Sequence, residues 1–467
     1  MPSPGNPKAH WLVRQDRIQG KQDEYIVKIE DNILPVVNFN SFGILIQTDL
    51  KLPKEILEAE FYSYGKLIST VELHEVRSYI DAKSNQRFIA YSVIGEPIRV
   101  EKVLALKKVT DVITDSNEYA KRMSLVPKEF LMQTLEIRAK LIDLKQRIKA
   151  IEPDPFELYK TEIDEYENTI CTEMAHYIRE NIACSFEVLG ELLFKFDEES
   201  RNASIDFFRE QVGAIIYQAP YPKRAFEKPR GYAGDFDMMI STYKLENRGQ
   251  NLFAKCIHRY FVEEQAPKAV RNRAVYLNKK LISFLSENPG STVLSVACGP
   301  AMEIETILLN HKDILSKNPS FHFLDQDDEA LKSAQQNLVS IKNRYDLNLE
   351  LSFHHVAIKD VIAKGLQDLK FDVIYSAGLF DYLTAPVAQF AASRLYDHLN
   401  PGGQLIIGNF SIDNPNQYGM ILTMDWKLIY RTKEEMKAIL KNLPGETTVE
   451  SEDLGINLFA VLKKPLS

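Results

Sequence analysis

Cysteine is scarce in this chain, four in 467 residues, and Cys171, Cys184, Cys256 and Cys298 lie far apart with no CxxC pair. That spacing suggests neither a disulfide framework nor a thiolate zinc site, and without a signal-peptide core at the start it points to a cytoplasmic protein. Long apolar runs are lacking too. None approaches the roughly 18 residues needed to cross a bilayer, so no transmembrane segment is expected. Nor is there an excess of positive charge: the formal net charge is -8 and the pI about 5.7. That balance argues against a nucleic-acid polymer as partner, because such affinity comes from Lys and Arg neutralising phosphates. The nine histidines are scattered. The adjacent pair, His354-His355, falls in a strand-like run where neighbours face opposite sides, which disfavours a two-histidine metal site.

What is present reads as globular, 45% hydrophobic and 26% charged, with room for about three domains. The first ten residues read as a frayed tail. Residues 1–105 form a small β domain of barrel type, with strands expected at 24–30, 34–39, 43–47, 58–64 and 86–93 separated by turn residues. Residues 106–245 turn helical. Ile137, Leu141, Leu144, Ile148 and Ile151 repeat at spacings of four and three, one apolar stripe on a charged helix that Pro153-Asp154-Pro155 ends. Docking of that stripe on neighbouring helices is the plain reading; self-association into a homo-oligomer is the alternative. Further helices are expected over 156–183, 186–195 and 202–217.

Lys228 to Asp235, KPRGYAGD, breaks the periodicity with two glycines, a proline and several polar groups in eight residues. A loop whose backbone bends tightly while side chains converge on a ligand needs that mix, so it reads as a lid over a pocket. Arg230 is its fork for an anionic group, and Tyr232 and Asp235 its hydrogen-bonding partners. Residues 246–467 then alternate. Strands are expected at 293–297, 320–325, 349–355, 371–376, 403–409 and 458–462, and helices at 302–309, 329–340, 358–365 and 386–399. That alternation predicts a doubly wound, mostly parallel α/β sheet.

The stretch STVLSVACGPAMEIE, Ser291 to Glu305, organises this last domain. A buried strand runs into Gly299-Pro300 and a helix follows at once, a geometry that offers free backbone N–H groups to a ligand at the sheet's carboxyl edge. Asp325, about 25 residues on, stands where a carboxylate takes both ribose hydroxyls. Asp327 and Asp328 open the following helix and read as caps.

Asn38-Phe39-Asn40-Ser41-Phe42-Gly43 resembles the (D/N)xSxxG signature of PilZ domains, bacterial receptors for cyclic di-GMP; Arg14 and Arg17 in RQDR stand near the family's RxxxR segment, one residue too close, and Asn40 replaces its serine. The resemblance implies cyclic di-GMP at Arg14, Arg17 and Asn38. A degenerate domain used for packing is the alternative. The ordered set VLSVACGPAMEIE, FLDQDDEAL, FDVIYSAGLFDYL and LNPGGQLIIGNF resembles class I S-adenosylmethionine-dependent methyltransferases, with a Rossmann-like fold. It implies S-adenosylmethionine held by Ala297, Cys298, Gly299, Pro300, Glu303, Asp325, Gln326 and Ser376, with Ser376 to Asp381 lining the acceptor site. Two departures stand out: Ser295 replaces the usual acidic residue, for which Glu303 or Glu305 would compensate, and two of three loop glycines are alanine.

The KPRGYAGDFDMM segment, ACGPAMEIE, SAGLFDYL and the late DWKLIYRT together resemble the bacterial extracellular-factor, 3-hydroxypalmitic acid methyl ester, biosynthesis methyltransferases. That implies O-methylation of a 3-hydroxy fatty acid, a lipid-like acceptor. A carboxylate acceptor is already ionised near neutral pH and needs an orienting cation, the role of Arg230; another acceptor would use a base, with Asp381, Asp235 and His355 as candidates. Tyr382 and Tyr430 read as packing residues. The rival is a regulatory protein whose methyltransferase domain has lost catalysis along with its loop glycines, and a third reading makes the enzyme allosteric through cyclic di-GMP.

Overall fold

A computed structural model describes residues 17–19, 24–53, 55–153, 160–366 and 368–466. The chain divides into two compact units, Met1–Ser124 and Leu125–Ser467.

The first unit is built from β1 (Ile18–Gln19), β2 (Tyr25–Ile29), β3 (Asn32–Asn40), β4 (Gly43–Gln47), β5 (Leu57–Ser63), β6 (Lys66–Ile80) and β7 (Arg87–Ile94), followed by helix α1 (Val100–Leu125). The sheet runs β3-β2-β5-β6-β7-β4 and closes by pairing β4 with β3, all antiparallel. Alternation along the strands sends Val27, Phe39, Ile44, Phe61 and Ile89 inside, each fully buried. Tyr25, Phe39 and Phe61 fill the interior, with ring centroids 5.0 Å apart for Tyr25–Phe39 and 4.8 Å for Phe39–Phe61. The NFNSFG stretch is the β3–β4 hairpin: Asn40 pairs with Gly43, and the Asn40 side chain accepts the Phe42 N–H at 3.0 Å. Arg17 donates to Asn38 Oδ1 and reaches over Gly43. Arg14 lies outside the described residues.

The second unit opens with helices α2 (Lys128–Ala150), α3 (Lys160–Ile178), α4 (Cys184–Lys195), α5 (Glu198–Ile216), α6 (Pro220–Glu227), α7 (Phe236–Lys244), α8 (Leu252–Glu263) and α9 (Gln265–Glu287). A π-helical turn at Arg179–Ala183 joins α3 to α4. On α2, Ile137, Leu141, Leu144 and Ile148 are buried within this unit while Ile151 is exposed. The stripe therefore docks on the chain's own helices, which removes it as a self-association surface.

Then come β8 (Thr292–Val296), α10 (Met302–Asn310), α11 (Lys312–Leu315), β9 (Ser320–Asp325), α12 (Asp328–Arg344), β10 (Glu350–His355), α13 (Ile358–Lys364), β11 (Phe371–Ser376), α14 (Ala385–Asp397), β12 (Leu399–Phe410), α15 (Gln417–Met424), α16 (Lys433–Leu440), β13 (Glu446–Ser451) and β14 (Asn457–Lys463). Sheet order is β10-β9-β8-β11-β12-β14-β13, parallel from β10 to β12, with β14 antiparallel between β12 and β13. Both faces are covered. Val293, Phe323, Tyr375 and Ile406 pack with α9, α10 and α12, whereas Leu294, Leu324, Ile374 and Ile407 pack with α13, α14 and α16. The strand order reverses between β8 and β11, where α/β sheets open their ligand crevice.

Candidate active site

A cavity of about 560 Å³ sits at that switch point, floored by the carboxyl ends of β8, β9 and β11 and walled by the π-turn, α7, α8, α9 and α15. Its size falls in the range of small-molecule and cofactor sites.

The β8–α10 loop sets the floor. Ala297, Gly299 and Ala301 all take left-handed backbone, with φ of 54°, 52° and 51°. Two of them lack glycine's freedom, so the loop accepts a cost of about 1 kcal/mol or more at each alanine. A conformation kept at that cost is over-determined by its surroundings. Asp325 is one such determinant: its Oδ2 accepts the Gly299 N–H at 2.8 Å and its Oδ1 the Asp327 N–H at 2.9 Å. Burial pushes the Asp325 carboxyl up, and the two N–H donors pull against that shift. A Cβ built on Gly299 meets open space, but its positive φ makes any substitution strained.

Ala297, Cys298, Gly299, Pro300, Glu303, Asp325 and Gln326 line the cavity; Ser376 is buried and does not. Of the two glutamates on α10, Glu303 faces the cavity and accepts from the Tyr375 hydroxyl at 2.6 Å, whereas Glu305 turns to Asn337 at 2.7 Å. Burial raises the Glu303 carboxyl.

The KPRGYAGD loop covers the floor. Lys228 and Gly231 take positive φ, and Gly234 lies against the Trp426 ring, 2.7 Å from where its Cβ would stand, so only glycine fits there. Tyr232 lines the cavity, and its hydroxyl donates to Asp327 Oδ2 at 3.2 Å. Arg230 does not line it. Its guanidinium pairs with Asp327 at 3.2 Å and with Glu329, and lies 4.6 Å from the Phe236 ring centroid. Asp235 is wholly buried: it caps α7 through the Met238 N–H at 3.0 Å and pairs with Arg224 Nε at 2.9 Å. Asp327 therefore caps α12 and holds the KPRGYAGD loop at once.

The segment after α15 ties the parts together. Asp425 receives Arg209 at 2.9 Å and Lys228 at 2.7 Å, and Trp426 donates to the Tyr382 hydroxyl at 2.9 Å. Arg431 donates to the Phe380 carbonyl at 2.7 Å and to the Leu383 carbonyl, clamping the strand-end turn that carries Asp381. Asp381 lines the cavity, is buried, and accepts the Phe410 N–H at 2.6 Å; desolvation pushes its carboxyl up to about 7. His355 instead pairs with the Gln326 carbonyl at 3.0 Å and does not line the cavity.

Reasoning from sequence missed Arg273. It sits on α9, lines the cavity, is 9% exposed, and its Nη1 stands 3.0 Å from where a Cβ on Gly378 would be. The signal was there: Ala266, Ala269, Val270, Leu277 and Leu281 form the buried stripe of this helix, and an arginine interrupts it.

Residues 294–405 match a family model described as a methyltransferase domain. No curated protein matches the chain. Among solved structures, the chain is similar to a possible exported protein from Bordetella parapertussis, at 17% identity over 67% of this chain and 99% of that one, TM-score 0.41. It is also similar to magnesium protoporphyrin IX methyltransferase from Synechocystis PCC 6803, at 12% identity over 52% and 99%, TM-score 0.35. A third is the N-methyltransferase NodS from Bradyrhizobium japonicum WM9, at 17% over 44% and 89%, TM-score 0.31.

Proposed function

We propose that the methyltransferase domain at residues 294–405, roofed by the helices that precede it, transfers a methyl group from S-adenosylmethionine to a small amphipathic acid, a 3-hydroxy fatty acid being the case that the sequence resemblance implies. One observation carries the reading. Ala297, Gly299 and Ala301 keep three left-handed positions around a strand end, with the Gly299 N–H held by Asp325, on the floor of a cavity of about 560 Å³. That also weakens the scaffold alternative, because the loop conformation persists where its glycines do not.

The chain fits the cofactor in its donor set. The Asp325 carboxylate suits the ribose hydroxyls, the Gly299 turn gives backbone close approach to the methionyl part, and Glu303 faces the cavity where an ammonium would lie. When bound, the cofactor would supply an electrophilic methyl on a sulfonium, and a carboxylate acceptor would become a neutral ester with no proton for the protein to move. The protein's part is alignment and exclusion of water. Tyr232 and Trp426 close the roof, and Arg230 holds the lid to α12. Asp381 would take a proton only from an acceptor that carries one.

Calorimetry with S-adenosylhomocysteine, followed by transfer from labelled S-adenosylmethionine to 3-hydroxypalmitic acid, tests this. We expect binding and an alkali-labile labelled ester, and binding weaker by about a hundredfold or more in Gly299→Val, where a β-branched side chain is forced to positive φ. No heat with the wild type would overturn the reading. A second reading concerns the barrel: the Arg17–Asn38 contact over the hairpin turn favours cyclic di-GMP at Arg14, Arg17 and Asn38. Titration of the full chain with that nucleotide decides it, and absence of binding excludes it.

A further inference from the structure

Two cations line the cavity, Arg179 and Arg273. Arg179 is satisfied: its Nε donates to Glu264 Oε1 at 2.8 Å, and Glu264 also receives Asn416 at 2.6 Å. Arg273 differs. It is nine-tenths buried, its Nε has no hydrogen-bond partner among the described residues, and the rest of its fork meets only weak partners, the Met239 sulfur at 3.7 Å from Nη2 and the Tyr243 hydroxyl. The charge of Arg273 acts on two acids, Glu303 and Asp381, and neither forms an ion pair with it among the described residues. Glu303 is engaged by Tyr375, and Asp381 by the Phe410 N–H.

A guanidinium stripped of water with its fork unfilled destabilises the fold unless something completes it. Its planar fork matches the two oxygens of a carboxylate in shape and charge. We propose that Arg273 is the carboxylate-binding residue of this cavity. It stands against Gly378, just past the end of β11, between the loop that would hold the methionyl part of the cofactor and the strand end that would face the acceptor. Either partner brings a carboxylate: the methionyl carboxylate of the cofactor, or the acid of the acceptor. The proposal rests on reading the cavity as a methyl-transfer site.

The test uses Arg273→Met and Arg273→Lys in the full chain. Affinities are measured by calorimetry for S-adenosylhomocysteine, for its decarboxylated analogue, and for 3-hydroxypalmitate in the presence of S-adenosylhomocysteine. A loss of about tenfold or more, as expected for a charge-assisted pair, should appear in one of the two carboxylates and be partly restored by lysine. If S-adenosylhomocysteine weakens in Arg273→Met while its decarboxylated analogue does not, the cofactor's carboxylate is the ligand. If only the fatty acid weakens, the acceptor's is. The ligand-free Arg273→Met protein should melt no lower than the wild type, since a buried cation whose Nε has no hydrogen-bond partner among the described residues is removed. Affinities unchanged within about twofold, together with a lower melting temperature, would make Arg273 structural and overturn the proposal. A wild type that binds S-adenosylhomocysteine with unaltered variants sinks this inference alone; a wild type that binds none sinks the underlying reading too.

Discussion

The barrel of the first unit and the open sheet of the second use the same strand geometry to opposite ends. In the barrel, closure through the β3–β4 pairing turns every inward face onto another, and the aromatic rings of Tyr25, Phe39 and Phe61 occupy the middle. In the sheet, both faces are covered by helices, and at the strand ends the chain places strained and buried polar residues, Ala297, Ala301, Asp325 and Asp381, with Arg273 of α9 against them at Gly378. The barrel has buried hydroxyls without partners among the described residues too, on Tyr25, Ser63 and Tyr91, but they sit on three different strands. An open sheet concentrates its discomfort where a ligand would relieve it.

Substitutions can break or sharpen that contrast. Phe61→Ala should be the most damaging, costing the first unit about 3–5 kcal/mol, as for a buried aromatic ring, and chemical denaturation would show it. A smaller loss would mean that the barrel interior is looser than its ring contacts imply. Asp381→Asn comes next, with the opposite sign. Because burial raises the folded Asp381 carboxyl to about 7, its favourable contribution is full below the unfolded value near 4 and is lost as pH rises through about 7. The asparagine variant should therefore gain on the wild type by up to about 4 kcal/mol between those pH values, read as the difference between two denaturation series. Parallel series would show that Asp381 is not held in a desolvated strand end. Ala301→Gly should have the smallest effect, a gain of up to about 1 kcal/mol from relief of the left-handed alanine. An alanine-to-glycine change in an ordinary helix lowers stability instead, and a lowered melting temperature here would mean that the loop is not strained.

Much of the second unit is legible in the sequence because its strands are buried and terminated by turn residues. Ser320–Asp325 and Phe371–Ser376 fall where the apolar runs place them, and Ile358 opens its helix as expected. In the barrel, Gly43–Gln47 does the same, but Lys66–Ile80, the longest strand of that unit, is not legible. Its outer part, from Val76 on, is solvent-exposed on both faces and the register shifts between Glu75 and Arg77, so no alternation marks it. Glu446–Ser451, at the edge of the second sheet, escapes because ETTVES carries a single apolar residue, Val449. At the site, motif residues on the β8 loop and at the end of β9 are legible because backbone approach dictates them. The partnering of charges is not: whether Arg230 faces a ligand or Asp327, and whether Arg273 is buried, depends on residues distant in sequence.

Synthesis and dissection of the chain inherit this arrangement. The cavity wall begins at Arg179 and is completed only at Trp426, so the roof helices leave the ribosome before any of the floor exists, and the clamp that joins them, from Asp425 to Arg431, emerges late. Such long-range closure delays formation of the site relative to its helices. A fragment limited to residues 294–405 would carry the floor without its roof, and a nascent chain halted before Trp426 would hold Tyr232, Arg273 and Asp381 without the ring that packs against Gly234.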